Sequence, residues 1–111
     1  MKSQEQQLDE LVKNLEIQYP GLLLSAYYNF YNVHIQQIEL PKEMQGKGIG
    51  TKVIEAIQNH AKSIPLPVTL FPQAQPRKKK RLIKFYKNLG FYPNKGRKRD
   101  YRFASVWIWR P

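Results

Sequence analysis

Three glycines at alternate positions, Gly46, Gly48 and Gly50, stand between an apolar, strand-like run and a run with helical spacing that begins at Ile49. Glycine has no Cβ, so its backbone adopts positive φ readily and a ligand can approach it closely. The N–H groups of such a loop, together with the unpaired N–H groups of a helix start, form a cavity suited to phosphate oxygens. The stretch 45–51 is therefore predicted to bind a phosphate-bearing ligand.

This stretch resembles the (Arg/Gln)-x-x-Gly-x-(Gly/Ala) motif of GNAT-type N-acetyltransferases, and its residues are Gln45, Gly46, Lys47, Gly48, Ile49 and Gly50. In that family the loop holds the pyrophosphate of acetyl-CoA, so the resemblance implies that these residues and Thr51 bind acetyl-CoA as co-substrate. Thr51 stands where the dinucleotide fingerprint requires its third glycine, and no Gly-Lys-Ser/Thr closes a Walker A loop. A helix start with ordinary turn glycines is the alternative interpretation.

A second resemblance involves the helical stretch that ends at Gly90. Tyr86 stands four residues before Gly90, which is similar to the Tyr, three residues, Gly-Phe pattern of the late helix in GNAT enzymes. The resemblance implies that Tyr86 is the general acid that protonates the leaving thiolate. The alternative is a core aromatic, because Leu82, Phe85, Tyr86 and Leu89 follow the spacing of one apolar helix stripe.

The strand before the glycine loop is the second part of the implied site. In GNAT proteins this strand bulges and splays from its parallel neighbour, and the pantetheine arm lies in the gap, which here implies contacts with Ile38 and Leu40. A backbone N–H near Leu40 could stabilise the oxyanion of acetyl transfer. Glu39 is the only carboxylate on the strand and is the candidate general base, although a solvated strand acid fits the sequence equally well.

Other groups could also serve as the base. His34 lies on the same strand, but a lone strand histidine is more often structural. Asp100 stands alone among basic residues, which favours an ion-pair anchor for the segment 94–102 over a catalyst. A water-relayed base with no single essential residue is a further alternative.

The basic run 77–81, which contains Arg77, Lys79 and Lys80, opens the late helix. Cations at a helix N-terminus oppose its dipole, so the run is either screened by water and salt or serves a bound anion. In GNAT proteins this helix start lies near the adenosine end of the cofactor, which implies that Lys79 and Lys80 bind CoA phosphates. Lys79 also stands where the family often has an asparagine near the pantetheine.

The net charge of +11 is concentrated in the last third of the chain. Residues 1–76 hold six Lys/Arg and seven Asp/Glu, whereas residues 77–111 hold thirteen Lys/Arg and one acid. This asymmetry indicates an anionic partner. Coenzyme A is one candidate, and nucleic acid is another, since Tyr92, Tyr101 and Trp109 are interleaved with basic residues. An acidic macromolecular acceptor is a weaker indication.

Composition excludes several classes of protein. The 111 residues suffice for one small domain, 1–111, and include no cysteine, so disulfides and thiolate metal sites are excluded. Two histidines are too few for a convincing metal cluster, and no metal is expected. No apolar run approaches a membrane span of about 20 residues, and the N-terminus lacks a signal-peptide stretch. The expectation is a soluble cytoplasmic protein, monomer or homodimer, without membrane association.

The elements that must position these groups are readable from periodicity. Ser3 is the predicted cap of a first helix, whose apolar stripe is Leu8, Leu11, Val12 and Leu15. Strands are predicted over 22–28 and 33–40, joined by a turn at 29–32. The alternation of the second strand slips at Gln36 and Gln37, which is what a β-bulge produces.

The second half alternates helices and strands. A helix from Ile49, ended by Pro65, is followed by a strand over 66–71 and a loop over 72–76. The late helix ends at Gly90, a strand begins at Phe91, a turn covers 93–97, and a final strand covers 101–109. In that strand both faces are apolar, which suggests burial on both sides.

The predicted fold is α/β (α+β) of the GNAT type, with a mixed, mostly antiparallel sheet, a splayed parallel strand pair and flanking helices. The resemblance implies an N-acetyltransferase that transfers the acetyl group of acetyl-CoA to a primary amine of a protein, at a lysine or N-terminus, or of a small molecule. The alternative functions are a basic nucleic-acid-binding module and a non-catalytic acyl-CoA-binding module on the same scaffold.

Overall fold

The structure is a computed structural model that describes residues 2–72, 78–104 and 106–111. The predicted loop at 72–76, apart from Pro72, and Arg77 lie outside the described residues. Helices and strands alternate along most of the chain, in the order α1 (Gln4–Gln18), β1 (Leu23–Asn29), β2 (Asn32–Glu39), α2 (Ile49–Ser63), β3 (Val68–Leu70), α3 (Lys79–Asn88), β4 (Tyr92–Pro93) and β5 (Trp107–Trp109).

The five strands form one sheet in the order β1-β2-β3-β5-β4. β1 and β2 pair antiparallel, β2 and β3 pair parallel, and β5 pairs antiparallel with both β3 and β4. The parallel pair follows from the βαβ connection, because a helix must return the chain to the edge where the first strand began. The predicted fold class, a mostly antiparallel sheet with one parallel pair and flanking helices, is confirmed.

The three helices pack on the same face of the sheet. One core cluster joins buried residues of α1, α2 and α3 to side chains that point to one side of the strands, such as Val33, Ile35, Val68 and Leu70. The apolar stripe of α2 drives this packing, since Val53, Ile54 and Ile57 are completely buried. Burial of each such side chain stabilises the fold by about 1.5–3 kcal/mol.

The first helix begins where the sequence predicts. The Gln6 N–H donates to Ser3 Oγ at 3.1 Å, and the Ser3 N–H donates to Gln6 Oε1 at 3.0 Å. This reciprocal capping box satisfies two N–H groups that the helix itself leaves unpaired. Leu8 and Leu15, the buried members of the predicted stripe, then place α1 against β1.

The predicted β-bulge is present and lies at Gln36. In the β1–β2 ladder Ser25 is opposite Gln37 and Ala26 is opposite Ile35, so Gln36 has no partner. The parallel β2–β3 ladder contains the pairs Val33–Val68, His34–Thr69 and Ile35–Leu70 and ends immediately before the bulge. The extra residue bends the strand away from β3, which opens a gap between neighbouring strands.

The final strand is shorter than predicted. The sequence predicts a strand over 101–109, whereas β5 begins at Trp107, and residues 101–103 form a turn followed by a bend. The reason lies in Asn94, whose buried side-chain amide donates to the Asp100 and Ala104 carbonyls at 2.9 and 3.0 Å. These bonds hold the segment 94–104 in a compact loop, so its backbone groups do not join a ladder.

This loop covers part of the sheet face opposite the helices. Phe103, Val106 and Ile108 form a second, small apolar cluster there, whereas Trp109 belongs to the main core. Val106 and Ile108 thus lie on one side of the strand and Trp109 on the other, in agreement with the prediction that both of its faces are buried. Both faces of β5 are therefore covered, one by the helices and the other by the loop 94–104.

Candidate active site

The glycine loop has the backbone geometry of an anion cradle. Gly46 and Gly48 have φ of 77° and 76°, in the left-handed region, and a Cβ built at either position would meet nothing within 4 Å. Gly48 is the residue before α2 and caps it without a side chain. The first backbone bond into the helix is from the Lys52 N–H to the Gly48 carbonyl, which leaves the N–H groups of residues 49–51 available to a ligand.

Gly50 differs from its two neighbours. Its φ is not positive, and a Cβ built there would lie 3.4 Å from Phe85 Cζ and 3.6 Å from Leu40 Cδ1. Position 50 therefore faces α3 and the residue after β2 at ordinary contact distance, and does not face open space. The predicted contribution of Gly50 to cofactor binding remains a prediction, and it rests on its backbone N–H.

Gln45 stabilises the start of the loop. Its Nε2 donates to the Leu40 carbonyl at 3.1 Å, across the short 3₁₀ turn Lys42–Met44. This bond ties the end of the splayed strand to the residue before the first loop glycine. The Arg/Gln position of the loop pattern thus has a positioning role that follows from hydrogen bonding alone.

A cavity of about 510 Å³ opens where β2 splays from β3. Its walls come from both strands, from β1 and from α3, and include Ile35, Gln36, Ile38, Glu39, Leu70 and Tyr86. Ile38 pairs with the buried Leu24 and therefore points to the helix face, whereas Glu39 pairs with Leu23 and points to the opposite face. The cavity thus brings together Glu39, Ile38 and Tyr86, which the sequence predicts to share a site.

Tyr86 is buried, with 5% of its surface exposed. Its ring packs edge-to-face against Phe85 and Phe91, with centroids 5.2 and 5.7 Å apart. Burial raises the pKa of the Tyr86 hydroxyl to about 12, because the charged phenolate would lose its solvation. The hydroxyl therefore remains protonated at neutral pH and can donate a hydrogen bond to a ligand in the cavity.

The spacing between Tyr86 and Gly90 has a structural cause of its own. The Phe91 N–H donates to the Tyr86 carbonyl and the Gly90 N–H donates to the Lys87 carbonyl, both at 3.0 Å, which is a Schellman cap. Gly90 has φ of 92°, and a Cβ there would lie 2.9 Å from Trp109 Cδ1. The pattern would therefore arise from helix capping alone, and only the position of Tyr86 at the cavity relates it to chemistry.

The other candidate bases have structural partners. His34 Nδ1 lies 2.8 Å from Thr69 Oγ1, and burial lowers the pKa of the His34 imidazole. Asp100 accepts hydrogen bonds from Arg102 and Arg110, which hold the pKa of its carboxyl well below its usual range. The prediction that Asp100 is an ion-pair anchor is confirmed. Glu39, exposed on the open face, is the carboxylate that lines the splay cavity.

The basic run lies at the same edge of the sheet as the glycine loop. β2 and β3 are parallel, so the helices that follow them, α2 and α3, both begin at that edge. Lys79 and Lys80 are exposed in the first turn of α3, and the preceding Lys78 makes no side-chain cap. Their predicted role toward CoA phosphates remains a prediction, and Arg77 is not among the described residues.

Sequence reasoning missed several residues of the cavity. Ser25, Gln37 and Phe71 also line it, although only the slip at Gln36 and Gln37 gave any signal. Gln58, a polar position in the pattern of α2, is buried, and its Nε2 donates to the Leu89 carbonyl at 2.9 Å. It thereby fixes the end of α3 next to Tyr86. No periodic pattern marks such a contact, since its partner lies on another element.

The aromatic residues of the nucleic-acid alternative are not equally accessible. Trp109 is buried at 9% exposure, and the Tyr92 hydroxyl accepts from Arg110 Nε at 2.8 Å. Tyr101 is exposed, and the Arg99 guanidinium lies 5.5 Å from its ring centroid. Trp109 therefore cannot serve as a stacking surface for bases.

Within the described ranges no group of three metal-ligating side chains occurs, and no helix is long and apolar enough to span a bilayer.

The glycine loop has space for the pyrophosphate of a cofactor. The two open positions at Gly46 and Gly48 form a cradle that side chains would fill, and the loop is directly continuous with the splayed strand. A ligand that binds its phosphates at the loop can therefore extend its remaining length along β2 into the cavity beside Tyr86.

Comparison with known proteins gives a family. The sequence profile of the Acetyltransferase (GNAT) family matches residues 21–91, which include the splayed strand, the glycine loop and α3. The search of curated proteins gives no significant match.

Solved structures agree on the fold. The anti-CRISPR protein AcrVA5 superposes with a TM-score of 0.60 at 23% identity, covering 80% of this chain and 90% of that one. Ard1 from Thermoplasma volcanium gives 0.54 at 17% identity, with 91% and 77% covered. The toxin AtaT, in a mutant form bound to acetyl-CoA and the C-terminus of the antitoxin AtaR, gives 0.50 at 15% identity. This chain covers 80% of its own length in that match but only 55% of the toxin.

Proposed function

The chain belongs to the acetyltransferase (GNAT) family, and on that premise we propose that it is an N-acetyltransferase that acts on a primary amine of a protein or small molecule. Family membership supports acetyl transfer with acetyl-CoA as the donor. The observation that carries the proposal is the end of the β2–β3 ladder at the Gln36 bulge, which opens the cavity beside Tyr86 and directly before the glycine loop.

The cofactor-binding residues are assigned along the line from loop to cavity. The N–H groups of Gly46–Thr51 would bind the pyrophosphate, with Lys47 adding positive charge. Lys79 and Lys80 would bind the phosphates at the adenosine end, and Ile38 and Leu40 would flank the pantetheine arm. When bound, acetyl-CoA supplies an activated thioester. The backbone of β2 beyond Ile35 has no ladder partner on the β3 side within the described residues, so its N–H groups are available to the acetyl carbonyl oxygen.

Glu39 would remove the proton from the acceptor amine. Lysine ammonium ionises near 10.4, so most of an acceptor is protonated at neutral pH and must lose a proton before it attacks. Glu39 lies on the open face of the sheet, opposite to the layer that contributes Tyr86. An exposed carboxylate there can accept the proton directly or through one water. The acceptor and the donor therefore approach the gap from opposite faces.

Tyr86 would act on the leaving sulfur. Full transfer of its proton to a thiolate is unfavourable, because a pKa of about 12 exceeds the ordinary thiol value of about 8.5 by roughly 3.5 pKa units, or about 5 kcal/mol. A hydrogen bond from the protonated hydroxyl to the sulfur as charge develops avoids that cost. A hydrogen bond to a charged group contributes about 1.5–3 kcal/mol. We therefore assign to Tyr86 hydrogen-bond donation, with the proton supplied finally by solvent.

The proposal is tested by CoA binding and by turnover. Calorimetry should detect acetyl-CoA binding, and incubation with acetyl-CoA and a lysine-containing peptide mixture should give products heavier by one acetyl group. Replacement of both Lys79 and Lys80 by Gln should weaken CoA more than dephospho-CoA. Absence of any CoA binding would overturn the assignment, whereas binding without transfer to any amine would identify a non-catalytic acyl-CoA module.

A further inference from the structure

The sheet face opposite the helices carries an exposed aromatic patch. Tyr27 of β1 and Phe71, which follows β3, are 47% and 48% exposed and flank His34 of β2. The His34 ring centroid lies 5.3 Å from that of Tyr27 and 5.9 Å from that of Phe71. Leu23 and Glu39 continue the same face toward the glycine loop. The patch is therefore a flat apolar surface that leads to the candidate base.

The cationic segment 94–104 borders this patch through Arg102, Phe103 and Ala104. Asn94 fixes it from inside, since its Oδ1 accepts from the Asp100 N–H at 2.8 Å while its amide donates to carbonyls of the segment. Asp100 is occupied by Arg102 and Arg110. Lys95, Arg97 and Lys98 are exposed and form no ion pair with a carboxylate of the described chain. Their charges are thus directed to solvent.

A second cavity of about 260 Å³ joins the patch to this border. It is lined by Tyr27, His34 and Phe71 from the sheet and by Arg102 and Phe103 from the segment. Phe71 also lines the splay cavity, so the two cavities lie side by side on either side of one ring. A chain that crosses the patch can therefore place one side chain in the splay cavity while its neighbours face the segment that carries Lys95, Arg97 and Lys98.

We infer that the acceptor is a lysine flanked by acidic residues in a protein segment that crosses this face, which rests on the function proposed above. The aliphatic part of lysine packs against aromatic rings, and its ammonium is attracted to Glu39. Acidic residues beside it match the exposed charges of Lys95, Arg97 and Lys98. The lysine nitrogen would form an amide bond to the acetyl carbon as the C–S bond breaks, and the amine proton would pass to Glu39. CoA would leave as a thiolate that accepts a hydrogen bond from Tyr86 and takes its proton from solvent.

Nucleic acid fits this surface less well. A basic groove for single strands needs exposed aromatic rings along the cations, but Trp109 is buried and the exposed rings of the patch lead into the splay cavity. Nucleic acid also offers no aliphatic amine for transfer. The exposed cations of a segment that borders the patch are better matched by carboxylates that accompany a lysine.

The inference is tested with two peptides that differ only in the residues around one lysine, acidic in one and neutral in the other. The acidic peptide should be acetylated with roughly tenfold higher kcat/KM, and the preference should fall with added salt. The combined variant Lys95→Gln, Arg97→Gln, Lys98→Gln should lose the preference and keep its CoA affinity. The matched control Lys13→Gln, Lys84→Gln, Lys87→Gln removes the same charge from the helix layer and should keep both.

A binding measurement separates this inference from the proposed function. Fluorescence anisotropy with the acidic peptide, its lysine already acetylated, needs no turnover. Wild type should bind this probe more tightly than the combined variant of Lys95, Arg97 and Lys98 does. The control variant should bind it as tightly as wild type. Equal affinity of wild type for the acidic and the neutral peptide would overturn the inference. So would an equal loss of affinity in the variant of Lys95, Arg97 and Lys98 and in the control variant. Preferential binding of single-stranded RNA or DNA, abolished by the same three loop substitutions, would overturn it in favour of nucleic acid.

Discussion

Single residues of the glycine loop have separable physical roles. Gly46 and Gly48 supply left-handed backbone with open space beside it, whereas a Cβ at Gly50 would contact the ring of Phe85 at 3.4 Å. The sequence pattern treats the three alike because each lacks a Cβ. Only the direction in which the missing Cβ would point distinguishes a ligand cradle from a packing contact.

The Gly48→Val substitution should therefore abolish CoA binding. Its branched side chain would occupy the cradle, and the left-handed conformation would cost about 1–2 kcal/mol of stability. Gly96→Val is the matched control, since Gly96 has φ of 80° and also has nothing within 4 Å. Calorimetry should show no CoA binding in the first variant and unchanged affinity in the second. Equal affinity in both would refute the role of the cradle.

The hydroxyl of Tyr86 should affect turnover without affecting binding. Tyr86→Phe keeps the ring contacts with Phe85 and Phe91 and removes only the donor. The loss of one hydrogen bond to a developing charge lowers kcat by about tenfold to a hundredfold. Affinity for acetyl-CoA and thermal stability should change little. Full turnover in the variant would reduce Tyr86 to packing, and so would a joint loss of affinity and stability.

His34 should make the fold sensitive to mild acid. Burial lowers the pKa of this imidazole in the folded state, so the folded protein disfavours the proton that the unfolded chain accepts. The stabilisation is complete above the unfolded pKa of about 6.5 and is lost as the pH falls below it. His60 shifts in the same direction, also by burial.

Thermal denaturation at pH 7.5 and pH 5.5 measures this effect. Wild type should lose a few °C between the two values. His34→Gln should lose less, because Gln does not titrate in this range, and it can still bond Thr69. His60→Gln reports the share of the second histidine. An unchanged difference in both variants would assign the pH dependence to other groups.

At the scale of elements, the bulge in β2 ends the β2–β3 ladder and so opens the splay cavity. Ile35 and Gln37 point to opposite faces, as neighbours in a regular strand do, so removal of Gln36 would join two segments that already have the correct alternation. The deletion should therefore leave the fold intact but close the gap between β2 and β3.

Deletion of Gln36 should give a folded protein that no longer binds acetyl-CoA. The β2–β3 ladder could then extend past Ile35 and Leu70, which would raise or preserve the melting temperature while it closes the cavity. Gln36→Ala is the control, because it keeps the extra backbone residue and should keep binding. Both variants can be compared by circular dichroism and calorimetry. Retained CoA binding after the deletion would show that the bulge is not required.

The elements that the sequence predicts well are those with local causes. The cap at Ser3, the stripe of α2 and the slip at Gln36 involve neighbours along the chain, and each is present in the fold. The final strand is shorter than its apolar pattern predicts because Asn94 binds carbonyls six and ten residues away. Gln58 and Phe71 escape prediction for the same reason, since their roles depend on contacts between separate elements.

On the scale of the whole molecule, the helices form one layer and most of the opposite sheet face is open. The extents of 45 × 41 × 17 Å describe a thin, flat body. Composition could not predict the open sheet face, because both faces of β5 are apolar and one of them is covered by a loop. The charge distribution, by contrast, is visible in the sequence, and the fold places part of it beside the open face.

The β2–β3 ladder has a consequence for the lifetime of the protein. Three residue pairs join the β1–β2 hairpin to the other strands, and amide exchange at this seam requires these buried core pairs to separate. A ligand that spans the gap binds only the closed form and adds about 2.7 kcal/mol to the free energy of opening at a hundredfold excess over Kd.

Amide hydrogen exchange at Ile35 and Leu70 should then slow by roughly a hundredfold in CoA at that excess. Exchange in the exposed turn at Tyr31 should not change, and equal rates at the seam with and without CoA would contradict this coupling. Proteases also cleave the opened form, so the rate of degradation would fall as the acyl-CoA concentration rises. The abundance of the protein would thus follow the supply of its own co-substrate.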